Sequence, residues 1–151
     1  PEIQVKFRFY DGGRYIPALA VGYDGQGYFY DKNLKKYLEK GRGVFVSGSQ
    51  EVVLPGLMVH PGFNISDFDS NAIYGFLGLC YIIDDKVTLM TEWDNINTTR
   101  NSRFNAGMRV HVTPFFQVDM AVRELGRKGR FDNSAARRPE RIVQLRYTSN
   151  F

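Results

Sequence analysis

An all-β fold, an antiparallel up-and-down β-barrel, is what this 151-residue sequence predicts, and three observations predict it. Apolar and polar residues alternate with a period of two along most of the chain, the signature of strands with one apolar face. Short turns alternate with longer connections. The chain closes on Arg141-Ile142-Val143-Gln144-Leu145-Arg146-Tyr147-Thr148-Ser149-Asn150-Phe151, which sets Val143, Leu145, Tyr147 and Phe151 against Gln144, Arg146, Thr148 and Asn150. A water-soluble chain gains little from a Phe at its free end, because termini fray and leave it wet. At the aromatic girdle of a membrane barrel the same residue has a natural place.

The elements follow in order. Glu2 to Tyr10 alternates cleanly, with Ile3, Val5, Phe7 and Phe9 against Glu2, Gln4, Lys6 and Arg8. Asp11-Gly12-Gly13 supplies residues that tolerate positive φ in a tight turn. Tyr15 to Tyr23 is a second strand, weakened at its start by Pro17, which has no amide hydrogen to donate. Asp24 to Gly41 reads as one long connection, of the kind that is functional or mobile in a β protein. Arg42 to Gln50 is a third strand, interrupted by Ser47, Gly48 and Ser49. Pro55-Gly56 turns the chain into Leu57 to Asn64. Ala72 to Ile83 is apolar on both parities, Tyr74, Phe76, Cys80 and Ile82 opposing Ile73, Leu77, Leu79 and Ile83, so it departs from a simple lipid-out, water-in pattern.

Asp84-Asp85-Lys86 makes a short turn, and Val87 to Asp94 restores the alternation. Beyond the polar stretch Asn95 to Ser102 comes the clearest strand, with Phe104, Ala106, Met108, Val110 and Val112 facing away from Arg103, Asn105, Gly107, Arg109 and His111. Thr113-Pro114 leads into Phe116, Val118, Met120 and Val122, which oppose Gln117, Asp119, Ala121 and Arg123. A basic loop then reaches the terminal strand. About nine strands of roughly 8 to 12 residues are visible, close to the length that crosses a bilayer when tilted. The expected fold is therefore a transmembrane barrel, a single domain over 1–151.

Composition agrees with that expectation. Aromatic residues make up 15% of the chain, Phe and Tyr far outnumbering the one Trp, and 15 glycines supply turns. Mean hydropathy is −0.33, and no apolar run approaches the roughly 20 residues of a spanning helix. The net charge of +4 is concentrated in Arg127, Lys128, Arg130, Arg137, Arg138 and Arg141, which read as a solvated loop, and nucleic acid is not an expected partner. Cys80 is the only cysteine, which leaves no intramolecular disulfide and no cysteine metal cluster.

With its final strand ending in Phe151, the chain resembles Gram-negative outer-membrane β-barrel proteins, whose last strand is a recognition signal for the barrel-assembly machinery. Leu145, Tyr147 and Phe151 carry that signal here. In texture the closing strands also resemble barrels of the YjbH-like type associated with exopolysaccharide export. The resemblance implies residence in the outer membrane with the C-terminus periplasmic, contact with outer-membrane lipids and lipopolysaccharide, and other envelope-complex subunits as partners. Barrels of this kind have even strand numbers and both ends in the periplasm. An odd count therefore predicts at least one more strand, ten or more in the complete barrel, with this chain as its C-terminal portion. Since the chain begins at Pro1, either processing or upstream sequence is expected.

The inward faces of the last four strands gather Glu92, Asp94, Arg103, Asn105, Arg109, His111, Asp119, Arg123, Gln144 and Arg146. Charges cannot face lipid unpaired, so these ten residues are expected to face a lumen or one another. They form either an interior network of ion pairs or a polar pore whose arginines favour anions. His60 and His111 with Glu92 and Asp94 show no metal-ligand spacing, and no Ser–His arrangement forms a defensible motif. No cofactor, metal or enzymatic activity is expected. Asn64-Ile65-Ser66 and Asn97-Thr98-Thr99 match the glycosylation sequon by chance, and Gly25-Gln26-Gly27 is too short for a phosphate loop. Three functions fit: a pore, a membrane anchor or scaffold in a secretion or polysaccharide-export assembly, and a soluble lipocalin-like barrel with its apolar faces inward.

Overall fold

A computed structural model describes residues 3–25, 28–40, 43–66, 73–97, 102–125 and 139–148. They form strands β1 (Gln4–Tyr10), β2 (Ala18–Asp24), β3 (Tyr28–Asp31), β4 (Lys36–Lys40), β5 (Gly43–Glu51), β6 (Leu57–Ser66), β7 (Ile73–Ile83), β8 (Val87–Asp94), β9 (Arg103–His111), β10 (Phe116–Arg123) and β11 (Glu140–Tyr147), with no helix among them. Nine of the strands make one sheet in the order β1-β2-β5-β6-β7-β8-β9-β10-β11, each pair antiparallel. The fold is therefore all-β and meandering. The expected single connection over Asp24–Gly41 instead contains the separate β3-β4 hairpin. The second strand begins at Ala18 rather than Tyr15.

Connections 11–17, 52–56, 84–86 and 112–115 fall on one rim, and 25–42, 67–72, 95–102 and 124–139 on the other. The first set will be called the turn rim and the second the loop rim. Turn geometry is set by local chemistry. Asp84 (φ 48°) and Asp85 (φ 53°) adopt the left-handed conformation that aspartate tolerates, and the Lys86 amide bonds back to the Ile83 carbonyl at 3.0 Å. At 52–56, Gly56 (φ 82°) accepts a conformation closed to most residues, and its amide donates to Glu51 Oε1 at 2.6 Å.

Among the described residues, β1 and β11 each pair on one side only, so the sheet is open and the expected barrel closure is not completed. In a meander of nine strands the first and last run in the same direction, β1 starting on the loop rim and β11 ending on the turn rim. The sheet nevertheless curls. Asp24 of β2 and Asp94 of β8 line one cavity of about 160 Å³, although four strand spacings, roughly 19 Å on a flat sheet, separate them. Only a sheet rolled toward the face bearing both carboxylates brings them together.

Candidate functional site

Register sorts the side chains onto two faces. On one lie Val5 and Phe7; Val21 and Tyr23; Val44 and Val46; Val59 and Phe63; Leu77 and Leu79; Leu89 and Trp93; Met108 and Val110; Val118 and Met120; Val143 and Leu145. This convex face is the wet one: in the central strands Phe63 is 51% exposed and Trp93 48%. The concave face shelters polar groups. Ser47, Asn64, Thr88, Asp94 and Arg103 are buried there, and Ala20 is the one buried hydrophobic residue among those described. A soluble core has the opposite arrangement. The chain's surface, 10705 Å², also exceeds the roughly 7,800 Å² of a compact monomer of this mass.

Aromatic residues of the convex face collect near strand ends. Tyr23, Phe63, Trp93 and Phe104 lie toward the loop rim, and Tyr10, Tyr81, Phe116 and Tyr147 toward the turn rim, with mainly aliphatic side chains between and Phe7 the exception in mid-strand. Of the proposed assembly signal, Leu145 and Tyr147 sit on this face and are exposed. Phe151 lies outside the described residues.

All ten residues expected to share an inward face do share the concave one. Asp94 opposes Arg103, Glu92 opposes Asn105, and Asp119 stands between Arg109 and Gln144; Gln117 stands between His111 and Arg146, and Arg123 opposes Glu140. Asp119 receives both ends of Arg109, Nε to Oδ1 at 2.7 Å and Nη2 to Oδ2 at 2.9 Å, a forked geometry only arginine offers. Arg146 approaches the same carboxylate at 3.6 Å. Thr88 Oγ1 meets His111 Nε2 at 3.2 Å. The Arg109–Asp119–Arg146 group thus ties three adjacent strands by charge rather than by apolar contact.

Nearer the loop rim the network includes a residue that alternation could not identify. Arg103 Nε lies 2.9 Å from Glu124 Oε1, both side chains almost fully buried. Glu124 follows the last residue of β10, and its positive φ of 59° takes it out of strand geometry. Asn105 joins the two ends of this group, donating to Glu92 Oε1 at 3.1 Å and accepting the Glu124 amide at 3.2 Å.

The two-sided apolarity of β7 also has its reason here. On the concave face Phe76 stands opposite Gly62, and Phe45 opposite Gly22. A Cβ on Gly62 would lie 2.7 Å from Phe76 Cε2, and one on Gly22 the same distance from Phe45 Cε1. Each ring occupies the space that a side chain on the neighbouring glycine would take. Toward the turn rim Met58, Cys80 and Met90 are paired in one row on the same face. The concave surface is therefore polar at both ends and apolar across its middle strands. His60 Nδ1 and Ser49 Oγ, 2.8 Å apart, form another cross-strand tie there.

The cavity opens toward the loop rim and is lined by Asp24, Phe45, Asn64, Phe76, Glu92 and Asp94. Asp24 accepts from Gln4 Nε2 at 3.0 Å, and Asp94 Oδ1 accepts the Asn95 amide at 3.0 Å. Asp94 Oδ2 and Asn64 Oδ1 are buried without a hydrogen-bond partner. Among the described residues no three His, Cys, Asp or Glu side chains are grouped closely enough to hold a metal ion. No family model, curated protein or solved structure matches this chain.

Proposed function

We propose that this sheet is the wall of a bacterial outer-membrane β-barrel, its convex face against acyl chains and its concave face inward, acting as an occluded anchor or scaffold for an envelope assembly. The observation that carries it is the inversion of the two faces in the central strands: Phe63, Leu79, Leu89, Trp93 and Phe104 are exposed, while Ser47, Asn64, Thr88, Asp94 and Arg103 are buried. An apolar surface of this extent, broken by Thr91 in mid-strand and by Gln50 and Arg141 toward the rims, needs a cover. Aliphatic side chains in the middle and aromatic ones near both strand ends match a hydrocarbon layer with two interfaces. A lipocalin-like barrel would turn the same apolar face inward, against the curl of this sheet. One further strand, antiparallel to both β1 and β11, completes the closure that odd parity denies. The turn rim then faces the periplasm, and lipopolysaccharide meets the loop rim.

The anchor is favoured over the pore by what fills the concave side. Phe45 and Phe76 lie across it, and Arg109 and Arg103 are committed to carboxylates. Barrels of about this strand number enclose a space that side chains suffice to fill. Extraction and planar-bilayer recording test the two parts separately. The full-length protein should leave the membrane only with detergent, and it should give no ion-selective conductance steps. A monodisperse species in buffer without detergent, monomer or face-to-face dimer, overturns the membrane assignment. Discrete anion-selective steps overturn the occlusion alone.

A further inference from the structure

We infer that the cavity at the loop rim is a binding site for an organic cation, an ammonium or guanidinium group. Two buried acceptors carry the inference. Asn64 is 2% exposed and Asp94 3%, both line the cavity, and Asn64 Oδ1 and Asp94 Oδ2 lack a hydrogen-bond partner. A buried carboxylate oxygen left unsatisfied costs as much as any polar defect in a fold, and a donor in the cavity removes that cost. Arg103, opposite Asp94 in register, does not fill this role, since its Nε is turned to Glu124 at 2.9 Å.

The rest of the lining selects the donor's chemistry. Asp24 and Glu92 add carboxylates, the described lining residues include no basic side chain, and three carboxylates around one cavity attract positive charge. Phe45 and Phe76 also line the cavity, each packed over a glycine, Gly22 and Gly62, and aromatic rings attract alkylammonium and guanidinium groups. A bare metal ion is disfavoured, because the described residues offer no grouping of three metal-ligating side chains. A volume of about 160 Å³ admits a small cationic head with its water. The site depends on the concave face alone and holds whichever solvent covers the convex one.

Calorimetric titration of the full-length protein, in detergent or in buffer as its solubility dictates, tests this with methylammonium, guanidinium, Lys- and Arg-containing tripeptides, calcium and magnesium as probes. Saturable binding of methylammonium or guanidinium is expected, with an affinity that falls about tenfold in Asp94→Asn, the loss of one charge-assisted contact. Tighter binding of the tripeptides would identify the natural source as a protein side chain, and tighter binding of the free cations a small amine. Glu92→Gln, at an exposed position, supplies the same comparison if Asp94→Asn does not fold. Asp119→Asn, at the other end of the same face, should leave the affinity unchanged. The inference is overturned if no organic cation binds, if only calcium or magnesium binds, or if binding persists undiminished in both cavity variants.

Discussion

The convex and concave faces of this sheet are built from the same strands and share every backbone hydrogen bond, yet different forces hold them. On the convex face Phe7, Leu79 and Val143 are exposed, and none of the described residues covers them. On the concave face Arg109 is hydrogen-bonded to Asp119, Arg103 is ion-paired with Glu124, and Phe76 packs over Gly62. The contrast teaches that hydrophobic burial, the dominant force within a soluble fold, contributes little between the described residues of this sheet, where Ala20 is the one buried hydrophobic residue. Internal order rests on paired charge and close ring contact.

A charge placed on the convex face attacks the contrast most directly. Leu79, in the middle of β7, is 40% exposed; on a water-facing surface Leu79→Arg would change stability by less than about 0.5 kcal/mol. Against acyl chains the same substitution should cost about 2–4 kcal/mol at mid-depth. Reversible unfolding from lipid vesicles by denaturant measures the difference, and a neutral result there would end the distinction between the faces.

Arg109→Met tests the concave face. It leaves Asp119, 14% exposed at the side chain, without its forked partner, and should cost about 2 kcal/mol. Arg146→Gln should cost less than about 1 kcal/mol, because Arg146 is 45% exposed and 3.6 Å away. Equal losses in the two variants would mean that the pair's burial contributes nothing. Gly62→Ala is the smallest of these changes in atoms. It must displace the Phe76 ring and crowds the Val46 carbonyl, for an expected cost of about 1–2 kcal/mol. Adding Phe76→Leu should recover part of that loss in a double-mutant cycle, and strict additivity would show that ring and glycine do not interact.

Much of this was readable in the residues themselves. Phe104, Met108 and Val110 oppose Arg103, Asn105 and Arg109 at fixed two-residue spacing, and an extended backbone turns successive side chains to opposite faces whatever the strand pairs with. Hence which residues of each strand share a face followed from parity. The β3-β4 hairpin did not, because Tyr28-Phe29-Tyr30 is aromatic on both parities and carries no period-two signal. Glu124 escaped for a related reason: it stands past the end of β10, where strand parity no longer applies.

Alternation along the chain, a property of each strand's own backbone, was enough to divide apolar from polar and to count the strands of the sheet. Which carboxylate receives Arg109, which ring lies on which glycine, and how Asp24 comes to share a cavity with Asp94 were settled only by the assembled sheet. Those partners lie on different strands, and their meeting depends on register and curl. Both are collective properties of many strand pairs, set by turn lengths and sheet twist, and no single segment encodes them.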